Sequence, residues 1–394
     1  KLRNQMKRRS LMNRIYYDQA STSYPKPKAV TKAMMFYLTE IGSNVSRSNY
    51  QNAYSALETV TKTRKQIADF FDFPTEKNVI FTPNITYALN FVLKGILQPG
   101  NHVLISAMEH NAVMRPLHQL ATTGVSFSQI LCNQTGDLQL ETLETQIRTN
   151  TKAIVLTAAS NVCGTVMPLE QVGAICKKHG LFFIVDSAQY AGFSSISMKK
   201  CQIDALAFTG HKGLLGPQGI GGLILTDQIA TQMEPIISGG TGSRSDAANM
   251  PDFLPDKFEA GTLNIPGIYG LSAGISTIQK TGLTQIRIHE LGLTEQFLKG
   301  VQQMNALSIV GHTSCHNRTA VVSLRCHDMD EAELAYRLAE QFQIATRVGL
   351  HCAPNAHQTL KTYPKGTIRF SFGYSNTAEE VTFTLHAMKQ ILQH

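Results

Sequence analysis

The sequence contains two apolar runs that each end in a polar side chain able to do chemistry. The first is Leu181-Phe182-Phe183-Ile184-Val185-Asp186, and the second, at 203–208, continues into Thr209-Gly210-His211-Lys212-Gly213. Short apolar runs bounded in this way are typical of buried strands. In a sheet of parallel strands the carboxyl ends of the strands meet at one edge, where ligands bind. The sequence therefore predicts that Asp186 and Lys212 face one ligand.

Strand and helix patterns alternate over the first 225 residues, which is typical of an α/β fold with a mostly parallel sheet. Seven strands are predicted, at 78–81, 102–106, 125–131, 153–157, 181–185, 203–208 and 222–225. Helices are predicted between several of them, at 87–97, 112–121, 138–148 and 169–179. We expect this part, residues 18–270, to form a large domain.

The pattern changes after about residue 270. A long amphipathic stretch at 271–299 is followed by strand patterns near 320–324 and 367–372, with a helical pattern at 331–341 between them. This mixture predicts a smaller α+β domain over residues 271–394. A chain of 394 residues is also longer than most single domains, so two domains are expected.

Charge and composition exclude several classes of protein. The net charge of +8 comes from 36 Lys and Arg against 28 Asp and Glu, but residues 1–14 alone hold six of the basic residues and no acidic one. The remaining body is close to neutral, which does not favour a surface for nucleic acid. No apolar run approaches the length of a membrane span, so no membrane contact is expected. The basic start is interpreted as a partly disordered arm over residues 1–17 rather than a transit peptide, because it has little serine and no clear apolar face.

The seven cysteines lie at scattered spacings that do not suggest a disulfide framework, which indicates a reducing compartment and a cytoplasmic protein. One cluster of residue types that bind zinc, His312, Cys315, His316, Cys326 and His327, suggests a metal site as an alternative. Its spacing fits no standard zinc pattern, so no metal is predicted.

A lysine and an aspartate at neighbouring strand ends suit pyridoxal 5′-phosphate. This cofactor needs a lysine amine that forms an imine with its aldehyde, and a carboxylate that keeps its pyridine nitrogen protonated. Lys212 and Asp186 are the candidates for these two roles. Taken alone, a His-Lys pair after a strand is a weak signal, because most lysines are solvated surface charges.

Five motifs in order strengthen this interpretation. They are Val185-Asp186-Ser187-Ala188-Gln189, Phe208-Thr209-Gly210-His211-Lys212, Gly216-Pro217-Gln218-Gly219-Ile220-Gly221-Gly222, Phe258-Glu259-Ala260-Gly261-Thr262 and Arg347-Val348-Gly349-Leu350-His351-Cys352-Ala353. From about Tyr16 onward the chain resembles the class V aminotransferase family, in its cysteine desulfurase and selenocysteine lyase branch. The resemblance implies a fold-type I PLP-dependent transferase whose N-terminal segment joins the small domain. It also implies an active site at a homodimer interface.

The resemblance assigns cofactor roles to particular residues. It places Lys212 at the imine, Asp186 at the pyridine nitrogen and His110 on the ring face as a group for proton transfer. It places Asn161 and Gln189 near the phenolic oxygen of the cofactor. The phosphate ligands it implies are Thr86, Thr209 and His211, with Thr262 contributed by the partner subunit. Ile85 stands where many relatives have a second threonine, so one phosphate donor is expected to be missing.

The substrate side is predicted from a second group of residues. Arg369 is a charged residue inside an apolar strand pattern, and a substrate carboxylate is a fitting partner for it because a guanidinium binds a carboxylate with two hydrogen bonds. The resemblance supports Arg369 in this role, with Arg347 and Asn161 beside it. It makes Cys352 the residue that forms a persulfide. Either Arg347 or His351 is expected to favour the thiolate of Cys352.

The sequence thus predicts a PLP-dependent cysteine desulfurase that converts L-cysteine to L-alanine and passes sulfur from Cys352 to an acceptor protein or thiol. Selenocysteine lyase, and another class V C–S lyase or epimerase, stay open as alternatives. A non-catalytic sulfur-transfer scaffold is a further alternative, which the presence of Lys212, Asp186, His110 and Cys352 disfavours.

Overall fold

The structure is a computed structural model that describes residues 14–45 and 50–393. Most of the expected basic arm, residues 1–13, lies outside the described residues. Thirteen strands are found in these ranges: β1 Ile15–Tyr16, β2 Val79–Thr82, β3 His102–Ser106, β4 Ser126–Ile130, β5 Thr151–Thr157, β6 Phe182–Asp186, β7 Ala205–Thr209, β8 Gly221–Leu225, β9 Leu307–Val310, β10 Val321–Cys326, β11 Ile344–Ala345, β12 Arg347–Gly349 and β13 Thr367–Ser371.

Eleven α-helices are found in the same part of the chain: α1 Lys28–Phe36, α2 Gln51–Phe70, α3 Ile85–Ile96, α4 Asn111–Ala121, α5 Leu169–His179, α6 Asp227–Gln232, α7 Ile265–Thr281, α8 Leu283–Val301, α9 Glu331–Phe342, α10 Pro354–Thr359 and α11 Ala378–Leu392. A π-helical turn, Tyr37–Ile41, extends α1. Within the described ranges, no helix has the length and apolar character that a membrane crossing requires.

Strands β2 to β8 form one seven-stranded sheet in the order β2-β8-β7-β6-β5-β3-β4. The five strands from β7 to β4 run parallel, and β8 is antiparallel to both of its neighbours. Side chains alternate between two cores, so that Phe183 and Val185 face one and Ile184 faces the other. The prediction of an α/β fold with a mostly parallel seven-stranded sheet is confirmed.

A second sheet is antiparallel and has the order β12-β13-β10-β9. Its apolar face packs with α8, α9 and α11 in a third core that includes Phe297, Phe370 and Leu338. The N-terminal strand β1 pairs in parallel with β11, next to this core. The division at residue 270 stays a prediction. That position lies inside α7, a helix that packs against α1 and α2.

The prediction of a helix at 138–148 is wrong. This segment forms two short 3₁₀ turns, Leu140–Thr142 and Glu144–Gln146, after Leu138 has made an antiparallel bridge to Cys132. The apolar residues that suggested one helical face are buried by these turns, with Leu143 fully enclosed. Apolar residues at helical spacing can therefore pack inward from short turns, without a continuous helix.

Candidate active site

The predicted residues are brought to one edge of the large sheet. Asp186 ends β6, Thr209 ends β7, and the register pairs Asp186 with Thr157 of β5 and with Ala207 of β7. The segments that follow β3 and β5 carry His110 and Asn161 to the same edge, because these strands are parallel to β6. Strand topology alone therefore gathers side chains from four separate segments.

Lys212 lies in a tight turn directly after β7. Burial lowers the pKa of its amine to about 8, an effect that Asp186 opposes and Arg369 increases. The turn is held against the chain at Ala191, because a Cβ atom on Gly213 would stand 2.3 Å from the Ala191 carbonyl oxygen. Only glycine fits at that approach. The neutral fraction of the Lys212 amine near pH 7 is therefore larger than that of an ordinary lysine.

Asp186 is a buried carboxyl group, 2 % exposed. One carboxyl oxygen accepts a hydrogen bond from the backbone N–H of Ala188, 2.9 Å away. Burial raises the pKa of Asp186, whereas that hydrogen bond and the charge of Lys212 lower it. A buried carboxylate is stabilised by a cationic or N–H partner, and the protonated pyridine nitrogen of its predicted ligand is such a partner.

His110 is the N-cap of α4, and its Nδ1 atom accepts a hydrogen bond from the backbone N–H of Ala112, 3.0 Å away. Because Nδ1 accepts, the hydrogen of the neutral ring lies on Nε2. Burial lowers the pKa of His110 to about 4, and the charges of Lys212 and Arg369 contribute to the shift. The ring is therefore neutral near pH 7, with one N–H left to interact with a ligand.

Two buried polar atoms beside Lys212 have no hydrogen-bond partner among the described residues: Oγ1 of Thr209 and Nδ1 of His211. Buried polar groups are nearly always paired, so orphaned atoms at a strand end indicate a ligand. Thr86 lies inside a helix and not just before the one predicted at 87–97. Helix α3 begins at Ile85, Asn84 caps it, and Thr86 is an exposed residue of the first turn. The free N–H groups of that turn still suit an anion such as phosphate.

Arg369 lies on β13 with 3 % of its side chain exposed. Its guanidinium donates to the carbonyl of Asn161 and forms an ion pair with Asp18 at 3.0 Å. Its Nε is buried and without a hydrogen-bond partner among the described residues. Arg347, on β12 beside β13, is half exposed and contacts Asp18 at 3.6 Å. The site thus holds two arginines and one carboxylate, which leaves it one positive charge in excess.

The loop that carries Cys352 is held in an unusual conformation. His351 and Cys352 are consecutive residues with φ of 47° and 57°. These values lie in the left-handed region, which residues other than glycine rarely adopt. The carbonyl of His351 accepts a hydrogen bond from the side chain of Asn161 at 2.7 Å. The carbonyl of Cys352 accepts one from the backbone N–H of Asn111 at 2.8 Å. Segments after β3 and β5 therefore fix the backbone of an exposed cysteine.

The expectation that His351 favours the thiolate is wrong. Its ring is buried, its Nε2 contacts Oγ1 of Thr367 at 3.0 Å, and burial lowers its pKa to about 2. A neutral imidazole offers no positive charge to a neighbouring thiol. His351 instead acts as a packed core residue beneath the loop, next to the ring of His357.

Comparison with known proteins places these features in one family. The family model described as Aminotransferase class-V matches residues 15–383. The chain belongs to the class-V aminotransferase family. A relative named "Probable cysteine desulfurase" from Methanothermobacter thermautotrophicus is 31% identical, over 97% of this chain and 95% of the relative. A relative of the same name from Pyrococcus abyssi is 32% identical, over 96% and 94%.

Solved structures of two cysteine desulfurases have the same fold as this chain. The apo cysteine desulfurase of Thermococcus onnurineus NA1 superposes with a TM-score of 0.91 at 32% identity, over 96% of this chain and 95% of that chain. The cysteine desulfurase CsdA (S-sulfonic acid) of Escherichia coli gives a TM-score of 0.87 at 26% identity, over 96% and 95%. The family implies pyridoxal phosphate as cofactor, and the orphaned atoms of Thr209 and His211 fit the phosphate of such a group.

Some predicted residues of this class-V site lie elsewhere in the subunit or have other contacts. Thr262 is exposed and lines a cavity of about 280 Å³ with Gly240 and Thr241. Gln189 donates from its side chain to the carbonyl of Ala20 at 3.0 Å. His312, from the weighed metal cluster, pairs with Asp137 at 2.9 Å. Within the described ranges, no three His, Cys, Asp or Glu residues form a group that suits a metal ion.

Two residues of the site were missed from the sequence. Asp18 contacts both arginines across more than 300 residues of sequence, which no local pattern signals. Glu109, next to His110, is fully buried, and its Oε1 accepts hydrogen bonds from the hydroxyl of Ser106 and the N–H of Thr157. An acidic residue beside His110 at a strand exit was a signal that could have been followed.

Proposed function

We propose that this protein is a PLP-dependent cysteine desulfurase that forms a persulfide on Cys352. One observation carries the proposal. An exposed thiol stands on a rigid loop that Asn161 ties to Arg369, at the sheet edge where Lys212 lies. A nucleophilic sulfur, a carboxylate-binding cation and an imine-forming amine are the three groups that removal of sulfur from an amino acid requires. The names of the relatives support the same activity.

The residues that would hold the cofactor are those at the strand ends. Thr209, His211 and the first turn of α3 offer donors to the phosphate, Asp186 offers a carboxylate to the pyridine nitrogen, and His110 offers its ring and its Nε2–H. Bound pyridoxal phosphate supplies an electron sink that lets bonds at the substrate α- and β-carbons break. Lys212 Nζ is the covalent attachment point.

The chain's own groups then do the remaining work. Arg369 binds the α-carboxylate of L-cysteine through its free Nε and so orients the substrate. The Lys212 amine would take the proton from the α-carbon, because its lowered pKa gives it a larger neutral fraction near pH 7 than an ordinary lysine has. Arg347 adds a second positive charge near the substrate carboxylate.

Cys352 completes the reaction. Its thiolate attacks the sulfur of the substrate, an Sγ–S bond forms, and the Cβ–S bond breaks with its electron pair left on the carbon skeleton. Two protons return to that skeleton to give L-alanine, and Cys352 keeps the sulfur as a persulfide. The sulfur then passes to an acceptor protein or a small thiol that reaches the exposed loop. All seven cysteines are free thiols, which fits a cytoplasmic location.

The same proposal includes a homodimer. Exposed apolar side chains cluster on α1, the π-helical turn and the start of α2: Met35, Phe36, Leu38, Tyr50, Tyr54 and Leu57. Contiguous exposed apolar surface of this kind marks protein interfaces. Thr262 lines a cavity whose lining does not include Lys212, so we assign its phosphate contact to the partner subunit across the interface.

The desulfurase activity is tested with Cys352→Ala. We expect the variant to lose nearly all alanine formation from L-cysteine while it keeps much of its activity on L-selenocysteine, because selenium leaves with less help from a nucleophile. The measurement is alanine formation from each substrate, with mass spectrometry of the peptide that contains Cys352. The matched control is Cys132→Ala, since burial raises the pKa of that thiol to about 12. Unchanged cysteine turnover in Cys352→Ala would move the chain to the wider class-V lyases.

The dimer is tested with Thr262→Val, which removes one hydroxyl from an exposed position. We expect the variant to release pyridoxal phosphate about tenfold to a hundredfold faster on dialysis, because a hydrogen bond to a charged group contributes about 1.5–3 kcal/mol. Thr231→Val, at an exposed position on α6, is the control. Full activity from a monomer, measured by ultracentrifugation at assay concentration, would contradict the shared site.

A further inference from the structure

The carboxylate of Asp18 contacts the guanidinium of Arg369, the group that is proposed to bind the substrate carboxylate. Its Oδ1 lies 3.0 Å from one terminal nitrogen of Arg369, and its Oδ2 lies 3.6 Å from a terminal nitrogen of Arg347. The hydroxyl of Ser21 donates to Asp18 at 2.6 Å and accepts from both arginines at 3.0 and 3.1 Å. These four side chains form a closed network.

Asp18 is held in this place by the backbone. It makes a parallel bridge to Ser371 of the small sheet, and the N–H of Ala20 donates to the Ser371 hydroxyl at 2.9 Å. The Asp18 side chain is 17 % exposed and that of Arg369 is 3 % exposed. Because Asp18 and Arg369 are largely enclosed, solvent screens the charges of this pair poorly, whereas Arg347 is half exposed.

The Arg369 guanidinium has two N–H groups left for a ligand, one on Nε and one on the terminal nitrogen that donates to Asn161. One terminal nitrogen donates to Asn161, the other donates to Asp18 and Ser21, and Nε is buried and free among the described residues. A carboxylate that binds side-on uses Nε together with the neighbouring terminal nitrogen. Such a ligand must share with Asp18 the nitrogen that Asp18 already contacts.

We propose that the carboxylate of Asp18 competes with the substrate carboxylate for Arg369. In this way Asp18 lowers the affinity of the site for ligands that carry a carboxylate. When the site has no ligand, Asp18 provides an ion-pair and hydrogen-bond partner for the buried Arg369. It also limits how tightly the L-alanine product is retained, because product and substrate carry the same carboxylate. The inference rests on the proposed role of Arg369.

The test measures binding of propionate, which has a carboxylate and no amine to replace Lys212. Isothermal calorimetry is done on the holoenzyme for wild type, Asp18→Asn and Arg369→Gln. In Asp18→Asn the amide oxygen still accepts from Arg369 while the negative charge is gone. We expect propionate to bind about tenfold more tightly, because tenfold in Kd is about 1.4 kcal/mol, close to the difference in free energy between a charge-assisted hydrogen bond and a neutral one. L-Alanine should inhibit at about tenfold lower concentration, and KM for L-cysteine should fall without a rise in kcat.

The controls separate the possible failures. Asp69→Asn removes an exposed aspartate that pairs with Lys65, and it should bind propionate like wild type. If Arg369→Gln loses propionate but Asp18→Asn binds it no more tightly than wild type, the competition is refuted while the proposed function stands. If Arg369→Gln binds propionate like wild type, both fail. Asp18→Ser is the second charge-removing variant, and thermal unfolding verifies that each variant is folded.

Discussion

The lysine side of the site and the cysteine side are built by different means. Asp186, Thr209 and Lys212 lie within 27 positions of one another, at the ends of two adjacent strands whose side chains fill the two cores of the large sheet. The cysteine side combines Asp18, Asn161, Cys352 and Arg369, which hydrogen bonds bring together over as many as 351 positions of sequence.

This difference separates two kinds of stability. The lysine side is fixed by sheet packing, to which many residues contribute, so a single change at the site should alter chemistry and leave geometry intact. The cysteine side is fixed by a few backbone hydrogen bonds around two left-handed residues. There, the loss of one hydrogen bond should shift the position of the reacting atom.

The largest effect is expected from Lys212→Ala. The variant should lose the visible absorbance of the cofactor bound to lysine and at least about 10³-fold of its alanine formation, because an imine needs a primary amine. Its circular dichroism and unfolding midpoint should stay close to those of wild type, since the strands that position Lys212 remain. Lys199→Ala, at an exposed lysine, is the control. An active Lys212→Ala protein would refute the role of this lysine, and an unfolded one would refute the robustness of the lysine side.

The sequence predicts the lysine side well for a physical reason. A buried parallel strand is a short apolar run, and the first polar residue after it must lie at the ligand edge of the sheet. This rule points to Asp186 at the end of one strand and to Lys212 just after the next, whereas Thr209, His110 and Asn161 were assigned through the family resemblance. The same rule gives no helix start, which is why Thr86 was expected to precede a helix that begins at Ile85.

The cysteine side is less accessible to sequence reasoning. Arg369 and Cys352 were found through chemistry and resemblance, but Asp18 was not, because its partner is 351 positions away and its own surroundings are an ordinary polar segment. The charge at His351 was assigned from proximity in sequence, whereas its burial against Thr367 depends on how β13 packs. Burial is a tertiary property, and neighbouring letters do not encode it.

A smaller effect is expected from Asn111→Pro, which tests the cysteine side. Proline is tolerated at the first position of a helix, and the preceding residue, His110, already has φ −75° and ψ 157°, the region that proline favours in its neighbour. The change therefore removes the N–H that holds the carbonyl of Cys352 without opposing the helix. We expect sulfur release to fall about tenfold to a hundredfold, because the nucleophile is less well placed.

The control for this variant is Asn111→Ala, which loses the side chain and keeps the N–H. Transient kinetics with L-cysteine measure the two steps separately: binding at Lys212 by the change in cofactor absorbance, and sulfur transfer by persulfide on Cys352. Binding should be unaffected in both variants. If Asn111→Pro transfers sulfur as fast as Asn111→Ala, the loop does not need this hydrogen bond and the contrast between the two sides is weaker than proposed.

The last prediction concerns stability and not chemistry. Glu109→Gln tests whether a buried carboxyl group lowers the free energy of unfolding on the lysine side. Burial raises the pKa of Glu109 to about 8 from its usual value of 4.5, and Oε2 has no partner among the described residues. Between pH 4.5 and pH 8 the folded protein therefore keeps a proton on Glu109 that the unfolded chain has already released. Because the folded state binds more protons, this group makes the free energy of unfolding fall as pH rises through that window.

Glutamine resembles the protonated acid and has no proton to lose, so the stability of the variant relative to wild type should rise with pH. With the pKa rising from 4.5 to about 8, we expect the difference in free energy of unfolding to grow by about 3.5 kcal/mol from pH 5 to pH 8. Urea unfolding at pH 5, 6, 7 and 8 measures it, with Glu58→Gln as the control at an exposed position. A difference that stays constant with pH would show that Glu109 is ionised in the folded protein. In that case the carboxylates of Glu109 and Asp186 would repel each other, and the lysine side would depend on the hydrogen bonds from Ser106 and Thr157 as closely as the cysteine side depends on Asn111.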